Sequence, residues 1–141
     1  MATLTLSQEI DRPVADVFAT VADIGTFASW NPTIKSSRQL TSGEPRNGMR
    51  AEWQLKGFGA VTQELQEFEP HRRMRIVPLM KSLGGGHRFT FSDLGDRTRV
   101  DHELEMIPKG VYKLMAAMMR RTGRMNLRAT ADALKGYLEL G

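Results

Sequence analysis

Residues 110–140, GVYKLMAAMMRRTGRMNLRATADALKGYLEL, decide how the rest of the chain must fold. They contain no proline, and they consist mainly of Ala, Leu, Met, Arg and Lys, which all favour helix. A mostly apolar stripe recurs along them at steps of three and four, comprising Met115, Met118, Met119, Thr122, Asn126, Ala129, Ala133 and Tyr137. A helix of this length would span about 45 Å at 1.5 Å per residue, so it needs a broad apolar partner.

The preceding sequence supplies that partner as a run of short strands. Residues 2–10 alternate between apolar and polar, and similar alternation recurs over 49–56, 61–68, 72–79, 87–92 and 99–106, with a weaker candidate at 33–40. Two short helices are expected between the first two strands, since Pro13 suits a first helical turn and Pro32 ends the second helix. The predicted fold is α+β, a helix-grip arrangement in one domain, 1–141, in which a curved antiparallel sheet of about seven strands wraps the terminal helix.

Composition excludes several classes of protein. The 141 residues include no cysteine, which excludes a disulfide scaffold, a thiolate metal site and a cysteine nucleophile. The first residues show no basic leader followed by an apolar run, and no apolar run approaches the roughly 20 residues needed to cross a bilayer. We therefore expect a cytoplasmic protein.

The net charge of +4 raises the question of a polyanionic partner. Two basic clusters carry much of it, one at residues 71–75 and one formed by Arg120, Arg121, Arg124 and Arg128. Neither accompanies a zinc-finger spacing, an RNP-like aromatic strand or a helix-turn-helix pattern, so we predict no nucleic-acid partner. Weak contact of the helix arginines with an anionic membrane stays open as an alternative. The oligomeric state is not predicted.

Motifs along the whole chain resemble one family. These are IDRPVADVF (10–18), residues 23–32 ending in Trp-Asn-Pro, Gly-Met-Arg (48–50), EFEPHRRM (67–74), GDRTRV (95–100) and ALKGYL (133–138). In this order they are similar to the START-like, or Bet v 1-like (SRPBCC), superfamily, in its polyketide cyclase/dehydrase and lipid-transport branch. The resemblance implies an apolar ligand cavity between the sheet and the long helix. Members of this superfamily include lipid carriers, ligand receptors and aromatase/cyclases.

Strand parity and the helical stripe select the residues expected to line that cavity. His87 shares a face with Phe89 and Phe91, and His102 shares one with Leu104 and Met106, while Trp53 is inward on its own strand. The flexible thioethers of the helix suit an adaptable apolar surface, with two polar side chains among them to orient a hydroxyl or carbonyl. The predicted ligand-binding residues are Trp53, His87, Phe89, Phe91, His102, Leu104, Met106, Met115, Met118, Met119, Thr122 and Asn126.

Other kinds of site find little support in the sequence. No histidine or carboxylate spacing indicates a metal, no G-x-S-x-G motif indicates a nucleophile elbow, and no cofactor is predicted. Gly84–Gly86 is expected to form a flexible turn at the cavity mouth rather than a phosphate loop. His102 is the candidate catalytic residue, as a proton donor or acceptor near neutral pH.

Three functions are consistent with these observations. The first is binding or transport of a small hydrophobic molecule, such as a lipid, an isoprenoid or a polyketide-like aromatic. The second is an enzyme of the polyketide cyclase/dehydratase type that uses a cavity histidine for proton transfer. The third is a membrane-peripheral or interaction module that uses the basic face of the terminal helix. Whether the protein is an enzyme stays open at this point.

Overall fold

Alternating strands build one antiparallel sheet, as the sequence predicts. The computed structural model describes residues 2–80 and 83–140, and within them the sheet has seven strands in the order β1-β7-β6-β5-β4-β3-β2. The strands are β1 (Ala2–Ile10), β2 (Ile34–Gln39), β3 (Arg50–Leu55), β4 (Gly59–Glu69), β5 (Arg73–Pro78), β6 (Leu83–Asp93) and β7 (Thr98–Pro108). The α+β class, the strand number and the curved sheet are therefore confirmed.

Helical segments lie at the two places where they were expected. Helix α1 (Val14–Ala22) and a first 3₁₀ helix (Ile24–Ser29) connect β1 to β2. A second 3₁₀ helix (Gly110–Met115) leads directly into the long terminal helix α2 (Ala116–Leu140). Register shifts occur in β2 between Ile34 and Ser36 and in β4 between Gln66 and Glu69. Such bulges bend a sheet, and here they help it curve around α2.

The two faces of the sheet differ in the way that the alternation predicts. The inner face carries the core, which includes Ile10, Leu65, Ile76, Phe89 and Val100. The outer face carries charged residues that pair over an intervening strand: the guanidinium of Arg75 on β5 lies 3.1 Å from the carboxylate of Glu105 on β7, and that of Arg88 on β6 lies 3.1 Å from Glu67 on β4. The arginines of the 71–75 cluster are thus partly neutralised by carboxylates of the sheet itself.

The predicted apolar stripe of α2 is wrong in phase. The residues that α2 buries are Gly123, Leu127, Thr130, Ala131, Leu134 and Leu138. Met115, Met118 and Tyr137 are exposed, and Thr122 is exposed as well, while Met119 and Asn126 are only partly buried. Leu127, Leu134 and Leu138 pack on the sheet and so determine which side of α2 is buried. The methionines of the predicted stripe all precede Gly123, the first buried residue of α2.

Gly123 marks the point where α2 meets the sheet. A Cβ atom at this position would lie 2.6 Å from Sδ of Met106 and 3.3 Å from a methyl carbon of Leu104, both on β7. The absence of a side chain therefore permits the close approach. Residues 113–122 precede this contact, and all but Met119 are exposed.

The glycine triplet lies in a strand, and the prediction of a flexible turn was wrong. Gly84, Gly85 and Gly86 belong to β6, where Gly85 and Gly86 have φ angles of 96° and 135°. A Cβ on Gly85 would lie 2.1 Å from the carbonyl oxygen of Glu105, and one on Gly86 would lie 2.3 Å from that of Ile76. Both contacts are with backbone, which cannot rotate away, so only glycine fits between β5 and β7 here.

Substituting these glycines should destabilise the protein strongly. We expect Gly85→Ala and Gly86→Ala each to lower the free energy of unfolding by about 3 kcal/mol or more, because positive φ strain adds to a backbone clash. Urea titration followed by circular dichroism measures this. Gly136→Ala is the matched control: its Cβ would meet no heavy atom within 4 Å, near the C-terminal end of α2. It should raise the free energy of unfolding by up to about 1 kcal/mol. A loss at position 85 or 86 no larger than about 0.5 kcal/mol would contradict the packing described here.

Candidate functional site

A cavity of about 140 Å³ lies between the inner face of the sheet and α2. Strands β2 to β7 supply most of its wall, and α2 supplies Asn126. The lining is mainly apolar and comprises Asn31, Thr33, Ile34, Trp53, Leu55, Phe58, Val61, Gln63, Pro78, Met80, Gly84, Gly86, His87, Leu104, Glu105, Met106 and Asn126. An apolar cavity with a few polar groups is the usual form of a small-molecule site.

The structure brings five of the predicted ligand-binding residues to this cavity. They are Trp53, His87, Leu104, Met106 and Asn126. Phe89 and Phe91 point inward as expected but lie deeper in the core, where the ring of Phe18 from α1 packs 5.1 Å from that of Phe91. His102 is buried behind His87. Met115, Met118, Met119 and Thr122 do not line the cavity, because the helix has a different phase.

Gln63 and Asn31 are lining residues that the sequence analysis did not select. Gln63 is inward on β4 by the same parity as Val61 and Leu65, so strand alternation alone carried the signal for it. Asn31 follows the first 3₁₀ helix, and the sequence indicates it only as part of the Trp-Asn-Pro motif that ends this helix. Nothing in the local sequence indicates that this loop reaches α2.

Asn31 joins the loop to the terminal helix through buried hydrogen bonds. Its amide nitrogen donates to Oγ1 of Thr130 at 3.1 Å, and its Oδ1 accepts from the backbone N–H and the hydroxyl of Thr33 at 3.0 and 2.8 Å. The Thr130 hydroxyl lies 3.4 Å from Oδ1 of Asn126. This chain of contacts fixes the position of Asn126 at the cavity wall.

Trp53 forms a rigid wall. Its Nε1 donates to the backbone carbonyl of Ile24 at 2.9 Å, and its ring stacks on Phe27 with centroids 4.5 Å apart. A ring held on one side by stacking and at its edge by a hydrogen bond cannot turn. It therefore presents a fixed surface to whatever occupies the cavity.

His102, which is buried, and His87, which is partly buried, form a contacting pair. Nδ1 of His87 lies 2.8 Å from Nε2 of His102, and the His102 ring stacks on Phe89 with centroids 4.1 Å apart. Register explains the arrangement, since Phe89 pairs with His102 across β6 and β7, and His87 lies two residues along β6 on the same face. His87 lines the cavity, so it is the histidine that a bound molecule would meet.

Both imidazoles are neutral at physiological pH. Burial lowers the pKa of His87 to about 4. Burial, together with a smaller repulsion from His87, lowers the pKa of His102 well below the usual histidine value. In apolar surroundings the charged ring loses its hydration, and no carboxylate compensates for that loss.

The pair also favours one tautomer. Nδ1 of His102 is buried without a hydrogen-bond partner. If Nε2 of His102 donates to Nδ1 of His87, the unpartnered atom is an acceptor; in the opposite arrangement it is an N–H donor. Buried donors without a partner are the rarer of the two in proteins. The favoured tautomer places the remaining N–H of His87 on Nε2, where it can serve as a donor to the cavity.

The depressed histidine pKa values should make stability depend on pH. Between about pH 4 and 6.5 the unfolded chain binds protons at these histidines and the folded chain does not, so acid favours unfolding. We expect the free energy of unfolding to fall by about 2 kcal/mol or more from pH 7 to pH 5. Urea titrations at pH 5, 7 and 8 measure it, with little change expected between 7 and 8. The double substitution His87→Gln, His102→Gln should remove most of the loss; an unchanged loss would show that another group causes it.

Comparison with known proteins agrees with this architecture. The family model for polyketide cyclase/dehydrase and lipid transport matches residues 1–139. No curated protein sequence matches the chain.

Several solved structures share the fold. A START superfamily protein from Mycobacterium smegmatis is 18% identical, with 98% of this chain and 97% of the other covered and a TM-score of 0.78. The Zhui aromatase/cyclase from Streptomyces sp. R1128 is 15% identical, with coverages of 98% and 93% and a TM-score of 0.79. A protein from Thermus thermophilus is also 15% identical, with both coverages 97% and a TM-score of 0.79. At these identities the likeness shows the fold alone. Because the family model spans nearly the entire sequence, the chain belongs to the polyketide cyclase/dehydrase and lipid transport family.

Proposed function

We propose that the protein binds a small hydrophobic molecule in the cavity between the sheet and α2. The observation that carries the proposal is the cavity itself, which has a volume of about 140 Å³ and a mainly apolar lining. A dry cavity of about 150 Å³ is large enough for a benzene-sized molecule. A larger ligand, such as a lipid or a polyketide-like aromatic, would need α2 to move outward.

The contacts of α2 make such a movement physically reasonable. Only the part from Gly123 onward packs on the sheet, and the preceding turns carry mostly exposed side chains. Movement of the turns before Gly123 away from the sheet would break few apolar contacts. Segments with few buried contacts open at low cost. Storage or transport of a ligand would use that opening.

A larger side chain in the cavity wall should weaken ligand binding. Toluene is a suitable probe, and its binding can be measured by ligand-observed NMR. We expect Val61→Phe, on the cavity wall, to weaken toluene binding at least fivefold, because the larger ring occupies the space. Thr62→Phe, which points to the outer face of the same strand, is the control and should bind toluene as the wild type does. Equal binding by both variants, with unchanged thermal unfolding, would place the toluene site elsewhere.

A cyclase or dehydratase activity is the second candidate, and the histidine pair favours it. His87 lines the cavity with a neutral imidazole, which suits the donation or acceptance of a proton. His102, the residue selected from sequence, would instead act as a positioning residue that holds His87 through the 2.8 Å contact. The proton-transfer role would thus pass from His102 to His87.

Contact with an anionic membrane is the third candidate, and exposed apolar side chains at the start of the terminal helical region favour it. Leu114, in the second 3₁₀ helix, and Met118 and Met125, in α2, are 91%, 62% and 66% exposed. No salt bridge within residues 2–80 and 83–140 neutralises the neighbouring basic side chains, Arg120, Arg121, Arg124 and Arg128. Exposed apolar residues beside unpaired arginines match the chemistry of an anionic lipid surface. In the described part of the chain, no helix has the length and hydropathy needed to span a bilayer.

Vesicle sedimentation tests the membrane candidate. We expect binding to phosphatidylcholine vesicles that contain 30 mol% phosphatidylglycerol and little binding to phosphatidylcholine alone. Changing Arg120, Arg121 and Arg124 together to Gln should weaken it at least tenfold, since each cation near such a surface contributes about 1 kcal/mol. A control that removes three charges elsewhere, at Arg38, Arg46 and Arg99, should have a smaller effect. Sedimentation that does not depend on phosphatidylglycerol would exclude this candidate.

A further inference from the structure

The amide of Gln63 is an unusual group for the wall of an apolar cavity. The side chain is only 4% exposed, and its Oε1 has no hydrogen-bond partner. Its neighbours on the same face of β4 are Val61 and Leu65. An unpartnered buried amide group lowers stability, and leucine of nearly the same size would avoid that loss. The amide therefore marks a place where a bound molecule can supply the missing hydrogen bond.

His87 offers a second polar contact from the other side of β5. Register places Gln63 opposite Pro78 and His87 opposite Ile76, so β5 runs between them and both face the cavity. The favoured tautomer directs an N–H group of His87 toward the ligand. An amide, which both donates and accepts, and an imidazole N–H together suit hydroxyl and carbonyl oxygens.

The described lining residues offer no free charge to pair with an ionic ligand. No lysine or arginine is among the described lining residues, and the carboxylate of Glu105 is engaged with Arg75 at 3.1 Å. Burial keeps His87 uncharged, with its pKa lowered to about 4. A carboxylate or an ammonium group would lose its hydration on entering and find no opposite charge.

We propose that the cavity selects uncharged molecules that carry a hydroxyl or carbonyl oxygen, held by the amide of Gln63 and by His87. This inference rests on the proposed ligand-binding function and narrows it to a chemical class. A pure hydrocarbon leaves the Gln63 amide unpaired, and an ionised acid cannot be accommodated. A neutral phenol or ketone satisfies the amide and fills the apolar space.

Three molecules of nearly the same shape separate these cases. Toluene, p-cresol and p-toluate share one methyl-substituted ring and carry, in turn, no polar group, a neutral hydroxyl and a carboxylate at pH 7. Their affinities for the purified protein can be measured by ligand-observed NMR. We expect p-cresol to bind about three- to tenfold more tightly than toluene, the value of one net hydrogen bond. We expect p-toluate to bind more weakly than both.

Gln63→Leu tests the assigned contact. It should reduce the preference for p-cresol over toluene at least threefold, and toluene should bind at least as tightly as before. His87→Leu should reduce the same preference, and thermal unfolding shows whether each variant is folded. The matched control is Gln54→Leu, on the outer face of the neighbouring β3, which should leave the preference unchanged.

The outcomes distinguish this inference from the function on which it rests. Binding of toluene and p-cresol with equal affinity overturns the inference and leaves the ligand site intact. A preference that survives in both Gln63→Leu and His87→Leu also overturns it. Failure of all three probes to bind the wild type overturns the proposed function, and the inference with it.

Discussion

The contact between residues 123–138 of α2 and the inner face of the sheet determines the rest of the structure. It begins at Gly123, where the missing side chain lets the helix approach Leu104 and Met106 of β7, and it continues through Leu127, Leu134 and Leu138. Asn126 lies within this packed part and is the α2 residue among the described lining of the cavity, whereas the turns before Gly123 carry mostly exposed side chains.

The strands could be predicted from sequence because their signal is local. Alternation with a period of two specifies which residues face the core, and a slip of one residue would expose every apolar side chain. The phase of α2 could not be predicted in the same way. Its abundant Met, Ala and Leu residues form several overlapping stripes at steps of three and four, and contact with β1 and β7 of the sheet selects the one that contains Leu127 and Leu134. The glycine triplet was misjudged for a similar reason: its need for glycine comes from the carbonyl oxygens of Glu105 and Ile76 on adjacent strands.

The site was only half predictable, because facing inward and lining a cavity are different properties. His87, Phe89 and Phe91 form one inward column on β6, yet α1 covers the end at Phe91 and the cavity begins at His87. Strand alternation predicts that these three side chains share the inner face. Contacts between distant parts of the chain determine which of them border the cavity. The same argument applies to β7, where Leu104 and Met106 reach the cavity and His102 lies behind His87. The position of Asn31 could not be predicted from local sequence, because its partner Thr130 lies 99 positions away in the chain.

The polar groups around this apolar cavity reduce the stability of the fold. Their presence despite that loss supports a role in ligand binding. Gln63 leaves Oε1 unpaired, and the histidine pair leaves Nδ1 of His102 unpaired. Apolar residues of similar size would fill the same positions with less loss, so the fold does not need these groups. The outer face shows the opposite arrangement, with its arginines matched to carboxylates across the strands. Gln63 and His87 differ from these paired residues in that they line the cavity, where a ligand can reach them.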